Sequence, residues 1–161
     1  MNKSRSKIFL GPMSKNVVDT VIEYSNEFEL PFTFIPSRRQ VEYNGGYVNN
    51  WKTSDFIKYV RNKSKYIEIG RDHGGPGQGQ FMDDGIDSFK EDCKHFDIIH
   101  IDPWKKYPNY TDGLNKTIQL LNFCYNENPN IFFEISTDQG IRKFEVNELE
   151  KFILDLQQQI K

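Results

Sequence analysis

Apolar residues along this chain fall into short continuous runs that alternate with longer stretches of helical spacing. The first run, Lys7-Ile8-Phe9-Leu10, is stopped by Gly11-Pro12. Ser14 then stands before Val17, Val18, Val21 and Ile22, a capped helical pattern. Pro31 punctuates, and Phe32-Thr33-Phe34-Ile35 reads as a strand that ends at Pro36. After a polar loop with Gly45-Gly46, Thr53 or Ser54 opens a helix through Phe56, Ile57 and Val60. The third strand is Tyr66-Ile67-Glu68-Ile69, followed by a glycine-rich loop from Gly70 to Gly79. Asp83 or Asp84 opens the next helix, with Ile86, Phe89 and Cys93 on one face. Phe96 to Ile101 reads as the fourth strand, closed by Asp102-Pro103. Leu114, Ile118, Leu121 and Tyr125 mark the fourth helix, and Ile131 to Ile135 the fifth strand. Leu149, Phe152, Ile153, Leu156 and Ile160 mark the last helix.

A strand–helix unit thus repeats five times, at intervals of roughly thirty residues. That is the pattern of an α/β fold whose helices cover a parallel sheet. Several strands are apolar at consecutive positions, as strands buried on both faces are. Two architectures fit: an open doubly wound sheet, or five units of a (β/α)₈ barrel, which takes about 250 residues when complete. No linker or low-complexity tract divides residues 1–161, so a single domain is expected.

Composition narrows the partners. Lys and Arg number 21 against 23 Asp and Glu, for a net charge of -2. That balance argues against a nucleic-acid or anionic-membrane footprint. No apolar run approaches the roughly 20 residues of a membrane span. The start, MNKSRSKIFLGP, is a poor signal peptide, and Cys93 and Cys124 show no metal or redox spacing. The expectation is a cytoplasmic protein with two buried free thiols. The chain contains no alanine, so its helices lack their best former and lean on packing.

In parallel sheets ligands gather at the carboxyl ends of the strands. Those ends carry Arg38, Arg39 and Gln40, then Arg71, Asp72 and His73, then Asp102, Trp104, Lys105 and Lys106, then Thr137 and Asp138. Asp72-His73-Gly74-Gly75-Pro76 is the sharpest segment. Imidazole ligates metals, and a neighbouring carboxylate works as acid or base. A loop histidine bonded to its neighbour is the alternative. Gly70 to Gly79 has neither a dinucleotide fingerprint nor the Lys-Ser/Thr of a P-loop. Alternation puts His100 and Asp102 on one side of the sheet, with a satisfied core histidine as the plainer reading of His100. Arg38 and Arg39 suit an anion clamp, or else an ion pair. Lys105 and Lys106 read as solvated or phosphate-facing, and Trp51 and Trp104 as packing residues.

The ordered set Gln40-Val41-Glu42-Tyr43-Asn44-Gly45-Gly46-Tyr47, Asp55-Phe56 with Val60, Asp72-His73-Gly74-Gly75-Pro76 and Ile99-His100-Ile101-Asp102 resembles the Z-type subunit family of tagatose-bisphosphate aldolase. Ser136-Thr137-Asp138 is similar to that family's segment after strand five. The resemblance spans roughly residues 8 to 140 and extends, more distantly, to the zinc-dependent class II aldolases. It implies a (β/α)₈ barrel, here partial, and retro-aldol cleavage of a phosphorylated ketose through a metal-stabilised enediolate. A ketose-phosphate 4-epimerase or a non-catalytic supporting subunit are the alternatives it carries. By position, His73 and Asp138 become ligands of Zn²⁺ or another divalent metal, and Asp72 the catalytic acid or base. Apart from the resemblance, the strand-end residues Arg38, Arg39, Arg71, Asp102 and Lys105 are the expected substrate-binding residues.

The departures are also informative. Arg38 and Arg39 replace smaller polar residues of the family, and Arg71 replaces a glycine. The family is longer, and the strands that carry its other histidine ligands and its phosphate loop have no counterpart here. Five units cannot close a barrel, so the expected partner, besides a sugar phosphate, is a second copy or another chain.

Overall fold

The alternation of five strands and five helices is present in the computed structural model, which describes residues 8–136 and 142–159. The elements are β1 (Phe9–Leu10), α1 (Lys15–Phe28), β2 (Phe32–Phe34), α2 (Thr53–Lys63), β3 (Ile67–Gly74), α3 (Ile86–Asp92), β4 (Ile98–Ile101), α4 (Tyr110–Glu127), β5 (Phe132–Ile135) and α5 (Val146–Gln159). Helix starts follow cap chemistry. Ser14 Oγ accepts from the Val17 N–H, and Asn109 Oδ1 accepts from those of Thr111 and Asp112. Thr53 departs from expectation. It lies inside α2 with its hydroxyl buried near Arg71, and Lys52 stands at the cap without a side-chain bond.

All strand pairs are parallel, and the order is β1-β2-β3-β4-β5. The order never reverses, whereas doubly wound sheets reverse at a switch point. Right-handed crossovers stepping always in one direction place every helix on the same face of the sheet. The core is built accordingly. Val18 and Ile22 of α1, Phe56 and Val60 of α2, Phe89 of α3 and Leu120 and Cys124 of α4 pack on Phe34, Ile69, Ile99 and Ile101. The alternate strand positions, Thr33, Glu68, Gly70, Asp72, Ile98 and His100, take the opposite face. On that face the outer strands expose Phe9 and Phe132. Among the described residues β1 and β5 each pair on one side only, so the sheet has two open edges.

The third strand runs further than its apolar core predicts, through Gly74 rather than stopping at Ile69. Backbone bonds on both sides extend it: Asp72 N–H to Pro36 O at 3.1 Å, and Asp102 N–H to Gly74 O at 2.7 Å. Asp72 and His73 therefore sit within the end of a strand and not in a loop. Among the described residues no helix is long and apolar enough to cross a membrane. Cys93 and Cys124 are free and buried, as expected.

Candidate functional site

Strict alternation would send Asp72 and His73 to opposite faces of the sheet. Two backbone features prevent it. The β3–β4 register shifts between Arg71 and Gly74, where one extra residue is accommodated. His73 itself adopts φ +46, the left-handed region that non-glycine residues rarely enter. Bulges and strained residues of this kind re-aim side chains at functional sites. Here they turn the His73 ring toward His100 of β4, with ring centroids 5.0 Å apart. Asp72 Oδ1 lies 3.7 Å from His73 Nε2 and 3.8 Å from His100 Nδ1. Donor atoms of Asp72, His73 and His100 all lie within 4.8 Å of one another.

Hydrogen bonds assign the tautomers. His73 Nδ1 is 2.7 Å from Asp102 Oδ2, and a carboxylate only accepts, so Nδ1 carries the ring proton. His100 Nδ1 accepts the His73 backbone N–H at 3.1 Å, so the His100 proton is on Nε2, 2.6 Å from Ser136 Oγ. Asp102 is fully buried. Besides His73 it accepts from Gln78 Nε2 at 2.8 Å and from the Trp104 N–H at 3.2 Å. The carboxyl end of β4 therefore holds the His73 ring from below. Close approach makes this possible: a Cβ on Gly74 would lie 2.6 Å from His100 O.

The two arginines nearest this rim face elsewhere. The sequence suggests Arg71 as a substrate-binding residue, but alternation turns its side chain into the helix layer. Its Nε and Nη2 bond Asp92 of α3 at 2.8 and 2.7 Å, and Nη1 bonds Pro36 O and Val41 O. Both charges are fully buried. Burial pushes the Asp92 carboxyl above its ordinary range, and Arg71 draws it back. Arg38, the expected anion clamp, is also buried. It bonds Glu42 Oε2 at 2.6 Å, Gly75 O at 2.6 Å, and both oxygens of Asp83 at 2.9 and 2.6 Å. Its donors brace the loop after β3 and are not turned to a ligand. Asp102, also expected to bind substrate, lies beneath His73 as its hydrogen-bond acceptor. Arg39 and Lys105 are exposed in the loops after β2 and β4. Asp138 lies outside the described residues.

Asp83 is the accessible end of the Arg38 brace. Its hydrogen bonds from Arg38 hold its carboxyl below the usual carboxylate range. A depressed carboxylate contributes stability that is present above its ordinary value of about 4 and is lost as pH falls through the depressed one. Opening of residues 76–84, which expose Phe81 and Met82, is therefore expected to increase as pH drops below about 4. Asp83→Asn should raise chymotrypsin cleavage after Phe81 several-fold at neutral pH. Unchanged cleavage would show that the Asp83–Arg38 pair does not hold the loop.

Two members of the site, Gln78 and Ser136, carry no signal in the sequence. Each is an ordinary polar loop residue whose partner lies 24 or 36 positions away.

No family model matches the sequence, and no curated protein does. The fold is similar to the crystal structure of a probable tagatose 6 phosphate kinase from Sinorhizobium meliloti 1021, with a TM-score of 0.78 at 14% identity. The alignment covers 96% of this chain and 44% of that one. At such identity the likeness is one of fold. The chain spans less than half the length of that structure.

The donor set suits a divalent cation of borderline softness. His73 Nε2 and Asp72 Oδ1 are nitrogen and carboxylate donors 3.7 Å apart, near the separation of neighbouring ligands in a small coordination sphere. The Asp102 bond to the other ring nitrogen is of the kind that supports histidines when they ligate a metal.

Proposed function

We propose that this chain carries a metal-dependent aldolase-type site for a phosphorylated ketose, on a sheet that is an arc of a (β/α)₈ barrel. The observation that carries the reading is the His73 arrangement: Nδ1 fixed by buried Asp102, and Nε2 beside Asp72 at the carboxyl end of a parallel strand. Sequential strand order without a reversal supports the barrel arc. The substrate class is supported by the resemblance of the ordered motifs, and by the sugar phosphate for which the probable kinase of similar fold is named. Phosphoryl transfer is the weaker choice, because the Gly70–Gly79 segment has no Lys-Ser/Thr pair to hold a nucleotide.

His73 would hold the metal through Nε2, with Asp102 keeping the ring in that tautomer. Bound there, Zn²⁺ or another divalent cation would polarise the ketone of the substrate. Asp72, half-buried beside it, is placed to take the hydroxyl proton as the carbon–carbon bond breaks and to return it in the reverse direction. A 4-epimerase would use the same residues for cleavage and re-addition. Exposed Arg39 and Lys105 remain the candidates for the phosphate.

Incubation of the purified chain with tagatose 1,6-bisphosphate and fructose 1,6-bisphosphate, with Zn²⁺, Mn²⁺ or Co²⁺ supplied, tests the proposal. Triose phosphate should form, chelator should stop it, and His73→Ala should abolish it together with metal retention. Product analysis separates cleavage from epimerisation. Absence of both reactions in every oligomeric state would overturn the proposal.

A supporting-subunit reading is favoured by one further observation. The edge at β5 continues into an apolar groove of about 570 Å³ lined by Ile135, Leu149, Phe152, Ile153 and Leu156. A second chain seated on the open edges would complete the barrel. Sedimentation over a concentration series should then show association. A chain that stays monomeric and cooperatively folded throughout would count against the pairing and the barrel together.

A further inference from the structure

His100 is the least obvious member of the site. Its ring belongs to the same cluster of donor atoms as Asp72 and His73, which makes it look like a second imidazole ligand. The hydrogen bonds give it different work. Nδ1 accepts the His73 backbone N–H at 3.1 Å, and Nε2 is 2.6 Å from Ser136 Oγ. Both ring nitrogens are thus committed to protein atoms. The ring is buried, so these bonds are shielded from competing water.

The residue whose backbone it grips is the one in the left-handed conformation. His73 has φ +46, inside the register shift between β3 and β4. A shifted ladder leaves its extra residue outside the regular strand pairing. The His100 ring meets the His73 N–H there, from the neighbouring strand. Ser136, just after β5, orients the ring by accepting a hydrogen bond from its Nε2–H. A path of hydrogen bonds therefore crosses three adjacent strands and ends on the His73 backbone, while Asp102 separately holds the His73 ring.

We propose that His100 is a positioning residue: it holds His73 in its left-handed backbone conformation, with Ser136 setting the His100 tautomer, and it does not ligate the metal. This role rests on the metal-site reading, but its central contact exists with or without a cation.

Two kinds of measurement test it. Nuclear magnetic resonance of the ¹⁵N-labelled, metal-free chain should show a trans-hydrogen-bond coupling between the His73 amide nitrogen and His100 Nδ1, and a slowly exchanging His73 amide. His100→Asn keeps an acceptor oxygen near the position of Nδ1, whereas His100→Leu fills the space without one. Amide protection at His73 should survive in the Asn variant and fall about fivefold or more in the Leu variant, since the His73 N–H loses that acceptor. Titration with Co²⁺ alone, followed by its visible bands, should give an affinity in His100→Asn within about threefold of the parent, with the same bands. His100→Leu should lose about 10–100-fold, the usual effect of removing an outer support.

Equal loss of Co²⁺ affinity in both variants, with changed bands in the Asn variant, would make His100 a ligand and overturn the proposal. Undiminished His73 protection in His100→Leu would overturn it as well. If the parent chain takes up no Co²⁺, the metal reading fails by itself, and the coupling and amide protection still decide the role of His100. Should His100→Leu fail to fold, the coupling in the parent and its weakening in Ser136→Ala carry the decision.

Discussion

Arg71→Met is expected to cost about 3–5 kcal/mol of folding stability, because it strands Asp92 as an uncompensated buried charge. Single domains have only about 5–15 kcal/mol to lose, so this variant should be marginal at room temperature. The Arg71 side chain is fully buried, and its guanidinium ties together the β2 exit at Pro36, the loop at Val41 and helix α3 at Asp92. The paired replacement Arg71→Met/Asp92→Leu removes both charges at once and should recover most of the loss, since apolar pairs often replace buried ion pairs at little cost. Urea unfolding of the parent, the single and the double variant measures this directly. A single-variant loss below about 1 kcal/mol would place the Arg71 pair among the weak, solvated kind. Because Arg71 immediately precedes Asp72, the brace also fixes where β3 delivers the site.

Asp102→Asn should leave the fold in place and reduce divalent-metal affinity about 10–100-fold. Three donors converge on the Asp102 carboxylate: His73 Nδ1–H and Gln78 Nε2–H on Oδ2, and the Trp104 N–H on Oδ1. An asparagine has one acceptor where the carboxylate has two. If its amide nitrogen faces Trp104, two donors oppose each other. If it faces His73, the imidazole must give up its Nδ1 proton, and the proton then occupies Nε2, the atom that would ligate. Either outcome is costly in a fully buried position. Co²⁺ titration together with urea unfolding separates the two effects. Affinity equal to the parent in a folded Asp102→Asn variant would mean that Asp102 does not set the His73 tautomer.

Legibility from the sequence divides along physical lines. The helix α1 is readable from Ser14 and the spacing of Val18 and Ile22, because cap and stripe are local. Strand β4 is readable from Ile98, Ile99 and Ile101, which are apolar because both faces are covered. The end of β3 is not readable. Gly70 resembles a stop, yet the chain continues as a strand because Pro36 on one side and Asp102 on the other offer partners, and no local signal carries that. Arg38 and Arg71 show the same limit. Each suits an anion by its chemistry. Arg71 meets its carboxylate 21 residues away, and Arg38 meets Asp83 45 residues away besides its near neighbour Glu42.

The order of residues suffices for the periodicity: five strand–helix units, the caps, the buried stripes, and Asp72-His73 as the chemically sharpest pair at a strand end. Hydrophobic spacing and capping act over a few residues, so no distant partner is needed to specify them. Which polar groups share a site follows instead from tertiary contacts. The bulge after Arg71 and the left-handed His73 bring two neighbouring side chains to one face against the rule of alternation. The β4 terminus then supplies Asp102 to the His73 ring and His100 to its backbone. Those contacts join residues 27 and 29 positions apart. They arise because parallel strands set distant segments side by side at one end of the sheet, a juxtaposition that no local pattern encodes.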